Sequence, residues 1–189
     1  MLVLSVTLVL DAGAALAAGD ASSASASPIS PAKQQAEIAG AKMAVRRVDA
    51  VKKLQDIGPC FTNRTAGEFA LMMRSMAGDS AMPGDDFTKR FNAILARYGI
   101  SDSSSHKSRE ATLKLHGRSL FADVARLVTS LQSERGDSRL TGTPPSPSDR
   151  NYRVVSKTQV NMTDRADPTK AMCACLEDGV WRIDIGDMG

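Results

Sequence analysis

The sequence has few aromatic residues, few cysteines and almost no histidine. Five Phe, two Tyr and one Trp make up only 4% of the 189 residues, so the core must be modest and its gaps fall to the nine methionines. The net charge of +3 is small and argues against nucleic-acid binding by bulk electrostatics. The length allows one ordinary domain, or a small domain with tails.

The chain begins with an apolar run that is too short to span a bilayer. Leu2 to Leu10 is such a run, and the small residues after it end in an Ala-x-Ala pattern, which is typical of a secretory signal peptide. We predict a signal peptide over residues 1–18, cleaved after Ala17 or Ala18, and a secreted or periplasmic protein. The alternative is a buried N-terminal helix or strand, because no Lys or Arg precedes the run.

Two segments are rich in Ser, Pro, Gly or Ala and poor in bulky apolar residues. These are residues 19–32 and 135–151, which bury too little surface to offset the entropy of ordering. We predict a flexible spacer over the first and a Pro-rich linker over the second. Residues 33–134 between them form a helical region, and residues 152–189 form a sheet region that completes one domain with the helices.

Apolar residues of the helical region recur at helical spacing. The predicted helices are one over residues 33–57, stopped by Gly58-Pro59; one capped by Thr65, with Glu68 completing a capping box; one from Asp85 or Asp86 to Gly99; and one capped by Ser119 and running to about residue 134. Arg109 to His116 is predicted as a separate turn or two of helix that Gly117 ends.

The hydrophobic period changes from 3.6 to 2 after the linker, which indicates strands. The predicted strands are Tyr152–Met162, Thr169–Glu177 and Val180–Ile185. Asp178-Gly179 between the last two is a strong signal for a two-residue hairpin, because both turn positions need positive φ. The sequence therefore predicts an α+β fold, with about four helices followed by a three-stranded antiparallel meander packed on them.

The hairpin turn also predicts which side chains share a face. If Glu177 opposes Val180, an apolar face forms that should meet the helices. Its cross-strand pairs are Leu176 with Trp181, Ala174 with Ile183, and Met172 with Ile185. The opposite face carries Cys173 against Asp184 and Cys175 against Arg182. We name these last four residues as candidate ligand-binding residues; the alternative is a solvated strand face.

The segment from Ala171 to Asp184, AMCACLEDGVWRID, resembles the closing hairpin of nuclear-transport-factor-2-like (cystatin-like α+β) domains. The resemblance covers Tyr152 to Gly186 and the general order of helices before sheet. It implies a curled sheet packed on helices around a conical pocket, as in both ligand-binding and catalytic members of the family. That family usually has more strands than the three found here, with a helix inserted among them.

The three thiols restrict disulfide bonding. In a strand, Cys173 and Cys175 point to one face with Cα atoms about 6.6 Å apart, at the edge of disulfide geometry, so a bond between them is disfavoured. Cys60 with either strand cysteine is the only intramolecular disulfide we consider. The alternative is three thiols that pack as small apolar residues.

Other polar groups give weaker indications. His106 and His116 have no second ligand at metal spacing, so we predict no metal site, no catalytic residue and no cofactor. The basic stretch from Lys42 to Lys53 is read as a solvated helix face, with contact to an anionic membrane surface as its alternative. Arg135-Gly136-Asp137 in the linker matches an adhesive tripeptide, a match of low specificity without a structural context.

These observations favour an exported, non-catalytic α+β domain that binds a small molecule or a protein partner. One alternative is a hydrolase or isomerase of the same cone-shaped fold that uses an Asp or His. Another is a surface interaction or adhesion protein that uses the basic helix or the Arg-Gly-Asp segment. A deep pocket lined by Asp184 or a histidine would favour the enzyme, and a shallow or apolar pocket would favour binding.

Overall fold

The structure, a computed structural model, describes residues 30–79, 84–101, 103–133, 149–169 and 171–186. The predicted signal peptide, most of the spacer and most of the Pro-rich linker lie outside these residues. The described residues divide into two compact units. The helical unit comprises the described residues from 47 to 133, and the sheet unit comprises residues 30–46 together with those from 149 to 186.

The predicted α+β class is confirmed, with one more strand than expected. The elements are α1 (Pro31–Ala50), two 3₁₀ turns (Leu54–Asp56 and Gly58–Cys60), α2 (Asn63–Asp79), α3 (Gly84–Arg97), α4 (His106–Ser133), β1 (Arg150–Ser156), β2 (Gln159–Asp164), β3 (Ala171–Glu177) and β4 (Val180–Asp184). The described strands form one antiparallel sheet in the order β1-β2-β3-β4. α1 and β1 begin slightly inside the predicted spacer and linker.

The extra strand arises from a hairpin within the segment predicted as a single strand. β1 and β2 pair around a turn at Lys157–Thr158, and their register shifts between Val154 and Ser156. The backbone N–H of Thr158 donates to Ser156 Oγ at 3.1 Å, so a side chain supports the turn. Lys-Thr carries none of the Gly, Asn or Asp signals of a hairpin turn. Because the sequence has no recognisable signal for this turn, β1 and β2 were predicted as one strand. The predicted number of three strands was wrong.

The predicted register of the closing hairpin is confirmed. β3 and β4 pair with Glu177 opposite Val180, and the predicted cross-strand pairs follow in order as far as Cys173 opposite Asp184. Asp178 and Gly179 both adopt positive φ, 54° and 74°, as a type I′ hairpin turn requires. The alternation of the two strands was therefore assigned to the correct faces.

Two predicted helix boundaries are wrong. α1 ends at Ala50 and is followed by the 3₁₀ turns, so Lys52 and Lys53 are not helical. α2 begins at Asn63, and its cap is Thr62 rather than Thr65: Thr62 Oγ1 accepts the backbone N–H of Thr65 at 3.3 Å. The same capping chemistry applies, but it acts three residues earlier.

α4 is one continuous helix where two were predicted. Gly117 lies in its interior and does not end it. A Cβ at this position would overlap the backbone carbonyl oxygen of Asn63 at the start of α2, and a Cβ on Gly67 would lie 2.6 Å from Leu113 Cδ2. The glycine therefore permits a close crossing of α2 and α4 rather than terminating a helix.

Each unit has its own apolar core. In the helical unit the fully or nearly fully buried side chains include Phe61, Phe87, Phe91, Ile94, Leu113, Leu120, Phe121 and Val124. In the sheet unit they include Ala41, Ala44, Val45, Val160, Met162, Ala174, Ile183 and Ile185. Within the sheet unit α1 lies against the predicted apolar face, because Gly40 contacts the indole of Trp181 and Lys42 Nζ lies 5.4 Å from the ring centre of Tyr152.

A half-buried phenol just after α3 contacts α4. The hydroxyl of Tyr98 donates to Asp123 Oδ2 at 3.0 Å. Arg97 and Arg126 pair with the same carboxylate at 3.3 and 3.2 Å. Burial, together with the hydrogen bond to Asp123, raises the pKa of Tyr98 above its ordinary value of 10.0.

This shift predicts a stability change at alkaline pH. Because the folded state favours the neutral phenol, the stabilisation from Tyr98 is fully present below pH 10.0 and is lost as the pH rises through the raised pKa. We expect the Tyr98→Phe variant to lose less of its free energy of unfolding in that range than the parent chain. Absorbance titration of the Tyr152→Phe variant, which keeps Tyr98 as its single phenol, checks the pKa directly. A midpoint at or below 10.0 would contradict it.

Candidate functional site

The candidate ligand-binding residues lie together on one face of the sheet. Cys173 is opposite Asp184 and Cys175 is opposite Arg182 across the β3–β4 hairpin. Asn161 and Gln159 of β2 are opposite the same two cysteines on the other side of β3. We call these six residues the polar face. It is the reverse of the apolar face against which α1 lies.

The two amide residues of this face were not predicted as site residues. Asn161 and Gln159 belong to β2, and β2 was not recognised as a separate strand. With the Lys157–Thr158 turn assigned, the alternation of β2 would have placed both side chains beside the cysteines. In the structure Gln159 Nε2 donates to Asn161 Oδ1 at 3.3 Å, so the two amides orient each other.

The two cysteine side chains meet at the centre of the polar face. Cys173 Sγ and Cys175 Sγ lie 3.4 Å apart, and both residues are half-buried. This separation is far longer than the covalent sulfur–sulfur bond of about 2.05 Å. All three cysteines of the chain are described, and none of them forms a disulfide bond. Cys60 lies in the helical unit and is 7% exposed.

Both charged groups of the polar face lie near a group of opposite polarity. Arg182 Nε lies 3.5 Å from Glu177 Oε2, and the side chain of Arg182 is only 13% exposed. Asp184 Oδ1 accepts the backbone N–H of Gly186 at 2.9 Å. A guanidinium group and a carboxylate therefore stand on β4, the first opposite Cys175 and the second opposite Cys173.

The polar face offers several kinds of ligand contact in a small area. The thiols are soft metal ligands. The guanidinium group donates hydrogen bonds, the carboxylate accepts them, and the amides do both. Within the described ranges no group of three or more His, Cys, Asp or Glu side chains is placed to hold a metal ion. The described residues of the polar face therefore do not form a metal site with three or four protein ligands of these types.

A small pocket lies in the helical unit. Its volume is about 200 Å³, and it is lined by Leu71, Arg74, Leu95, Ile100, Ser101 and Arg109. Pockets for drug-sized ligands have volumes of about 300–1,000 Å³. Neither histidine lines it: His106 and His116 are both exposed positions on α4, and the ring of His116 lies 6.2 Å from that of Tyr98.

The other surfaces singled out in the sequence contribute less. The basic stretch is helical only from Lys42 to Ala50, and Arg46 and Arg47 on it are exposed. Over the part of the chain that the structure describes, we find no helix with the length and apolarity needed to cross a membrane. The Arg135-Gly136-Asp137 tripeptide lies outside the described residues.

Comparisons with known proteins assign no relative to this chain. No family model, no curated protein and no solved structure matches it. The resemblance to nuclear-transport-factor-2-like domains therefore stays a prediction, and the function has to be inferred from the chemistry of the polar face.

Proposed function

We propose that the chain is an exported, non-catalytic α+β domain that binds a small molecule or a protein partner through the polar face. The observation that carries the proposal is the partial burial of polar groups on β3 and β4. The export component rests on the apolar run and the Ala-x-Ala pattern of residues 1–18.

Partial burial distinguishes this face from an ordinary solvated one. On a wet sheet face, charged side chains extend into water and keep most of their surface exposed. Arg182 keeps 13% and Glu177 keeps 27% of their side-chain surface exposed, and every residue of β3 and β4 is half-buried or buried. Desolvating such groups costs free energy. A ligand that completes their hydrogen bonds would recover part of it.

The geometry supports binding more directly than catalysis. A hydrolase or isomerase needs an acid or base held against its substrate in a pocket that excludes water. The pocket of the helical unit is lined by neither Asp184 nor a histidine. The polar face supplies a recognition surface with donors, acceptors and two thiols. A hydrolase or isomerase therefore remains the alternative function. Chemical conversion of the bound ligand would distinguish it from a binding domain.

A thermal-shift screen of the full chain against a panel of small polar and thiophilic molecules tests the proposal. A ligand present at about 100 times its Kd stabilises the folded state by about 2.7 kcal/mol, which raises the Tm by roughly 5–10 °C for a chain of this size. We expect such a shift, and we expect Arg182→Met and Asp184→Asn to abolish it.

Arg90→Met provides the matched control. Arg90 is an exposed arginine of α3 that pairs with Asp86 at 2.9 Å, so its replacement removes a guanidinium far from the polar face in sequence and leaves that face intact. The Tm shift should persist in this variant. A shift that survives both polar-face substitutions would contradict the proposed surface. Mass spectrometry of the ligand after incubation gives the remaining test, because a chemically altered ligand would favour the enzyme.

A further inference from the structure

We propose that Cys173 and Cys175 together bind one soft monovalent metal ion of the Cu(I) class. This inference rests on the proposed function, because it assigns a ligand class to the same polar face. The prediction that the chain has no metal site was based on the two histidines. It did not consider a site made of two thiolates.

The spacing of the two sulfurs fits an ion between them. The thiols are 3.4 Å apart, while their Cα atoms on an extended strand are separated by about 6.6 Å. With metal–sulfur bonds of about 2.3 Å, two sulfurs lie about 3.8 Å apart at a tetrahedral angle and about 4.6 Å apart when collinear with the ion. Both sulfur–sulfur distances are longer than the 3.4 Å between the sulfurs in the structure, so the two thiols need only move slightly apart. Rotation about the Cα–Cβ bonds therefore adjusts the site without moving the strand.

The same spacing disfavours a disulfide. A disulfide requires the sulfurs to approach to about 2.05 Å and the Cα atoms to lie within about 6.8 Å. The extended backbone of β3 is at that limit, and the ladders to β2 and β4 hold it on both sides. An ion bound between the two sulfurs avoids this problem, because it requires a longer sulfur–sulfur distance than a disulfide bond does.

The ligand set selects the class of ion. Thiolates are soft ligands that favour Cu(I) and zinc over hard cations. Structural zinc sites are closed by four protein ligands, and the described residues offer no group of three such side chains. A monovalent ion with a filled d shell is satisfied by two thiolates. Arg182, opposite Cys175, supplies a positive charge beside the resulting anionic complex.

Competition for Cu(I) tests the assignment on the full chain. Cu(I) is added anaerobically as its acetonitrile complex, with a chromogenic Cu(I) chelator as competitor. We expect one ion per chain and an ultraviolet thiolate-to-copper absorption band. Cys173→Ser and Cys175→Ser should each lower the affinity by about 100-fold or more, since even loss of an outer-shell partner costs 10–100-fold. Cys60→Ser should leave the affinity unchanged.

The outcomes separate this inference from the proposed function. Binding that persists in either strand variant, that disappears in Cys60→Ser, or that is as tight for Zn²⁺ as for Cu(I) would overturn the assignment. Circular dichroism verifies that each variant is folded, and Cys173→Ala and Cys175→Ala repeat the measurement with an apolar replacement. If Cu(I) fails to bind while a panel ligand shifts the Tm through Arg182 and Asp184, the metal assignment fails and the proposed function stands.

Discussion

Replacing Gly117 by alanine is expected to destabilise the protein by about 3 kcal/mol, at the upper end of the cost of overpacking a core. The added Cβ overlaps the backbone carbonyl oxygen of Asn63, and a backbone atom cannot rotate away as a side chain can. α2 and α4 must therefore separate, which also loosens the contact at Gly67. Urea unfolding followed by circular dichroism measures the change.

Helix propensity alone predicts the opposite sign. An interior Gly→Ala substitution usually stabilises a helix by about 1 kcal/mol. Ala111→Ser is the control, because it adds one heavy atom at an exposed position of the same helix and should cost less than about 0.5 kcal/mol. A Gly117→Ala variant as stable as the parent chain would show that the two helices do not cross this closely.

Replacing Trp181 by alanine should cost about 3 kcal/mol, at the lower end of the range for a buried tryptophan because the residue is only half-buried. Trp181 packs against Gly40 of α1, where an added Cβ would overlap the indole. Gly40→Ala should therefore destabilise the parent chain by about 2 kcal/mol. In the Trp181→Ala background the indole is gone, and the same substitution should instead stabilise α1 by about 1 kcal/mol.

This double-mutant cycle measures the contact itself. The expected coupling is about 3 kcal/mol, at the upper limit for residues in direct contact. Additive effects of the two substitutions would mean that α1 does not lie on the apolar face of the sheet. Thermal and urea unfolding of the four chains supply the data, and the single tryptophan makes fluorescence a probe only in the two chains that keep it.

The contrast between the two hairpins shows what the sequence could reveal. Asp178-Gly179 gave the register of β3 and β4 because positive φ is chemically restricted to a few residue types. Lys157–Thr158 makes a turn without positive φ, using residues that carry no such restriction and supported by the side chain of Ser156. The second turn depends on strand pairing with β3, a tertiary effect that local pattern does not record.

Gly117 illustrates the same limit in a helix. Locally, a glycine after a polar residue is typical of a helix end, and that interpretation produced the wrong break in α4. Its structural role depends on Asn63, which is distant in sequence. The candidate site was easier to predict, because the faces of β3 and β4 follow from strand alternation alone. The 3.4 Å approach of the two sulfurs was not predicted, since it depends on side-chain rotamers.

The sheet unit is discontinuous along the chain, with the helical unit inserted between α1 and β1. During synthesis α1 is made before the helical unit, but the strands that it contacts through Gly40 and Lys42 follow only after that unit. The apolar side of α1 therefore stays uncovered until these strands have been made, and its docking closes a very long loop. The helical unit can fold as soon as it has been made, because its elements follow one another along the chain. Truncation before β1 should consequently leave the helical unit folded and α1 as the segment most exposed to chaperones and proteases.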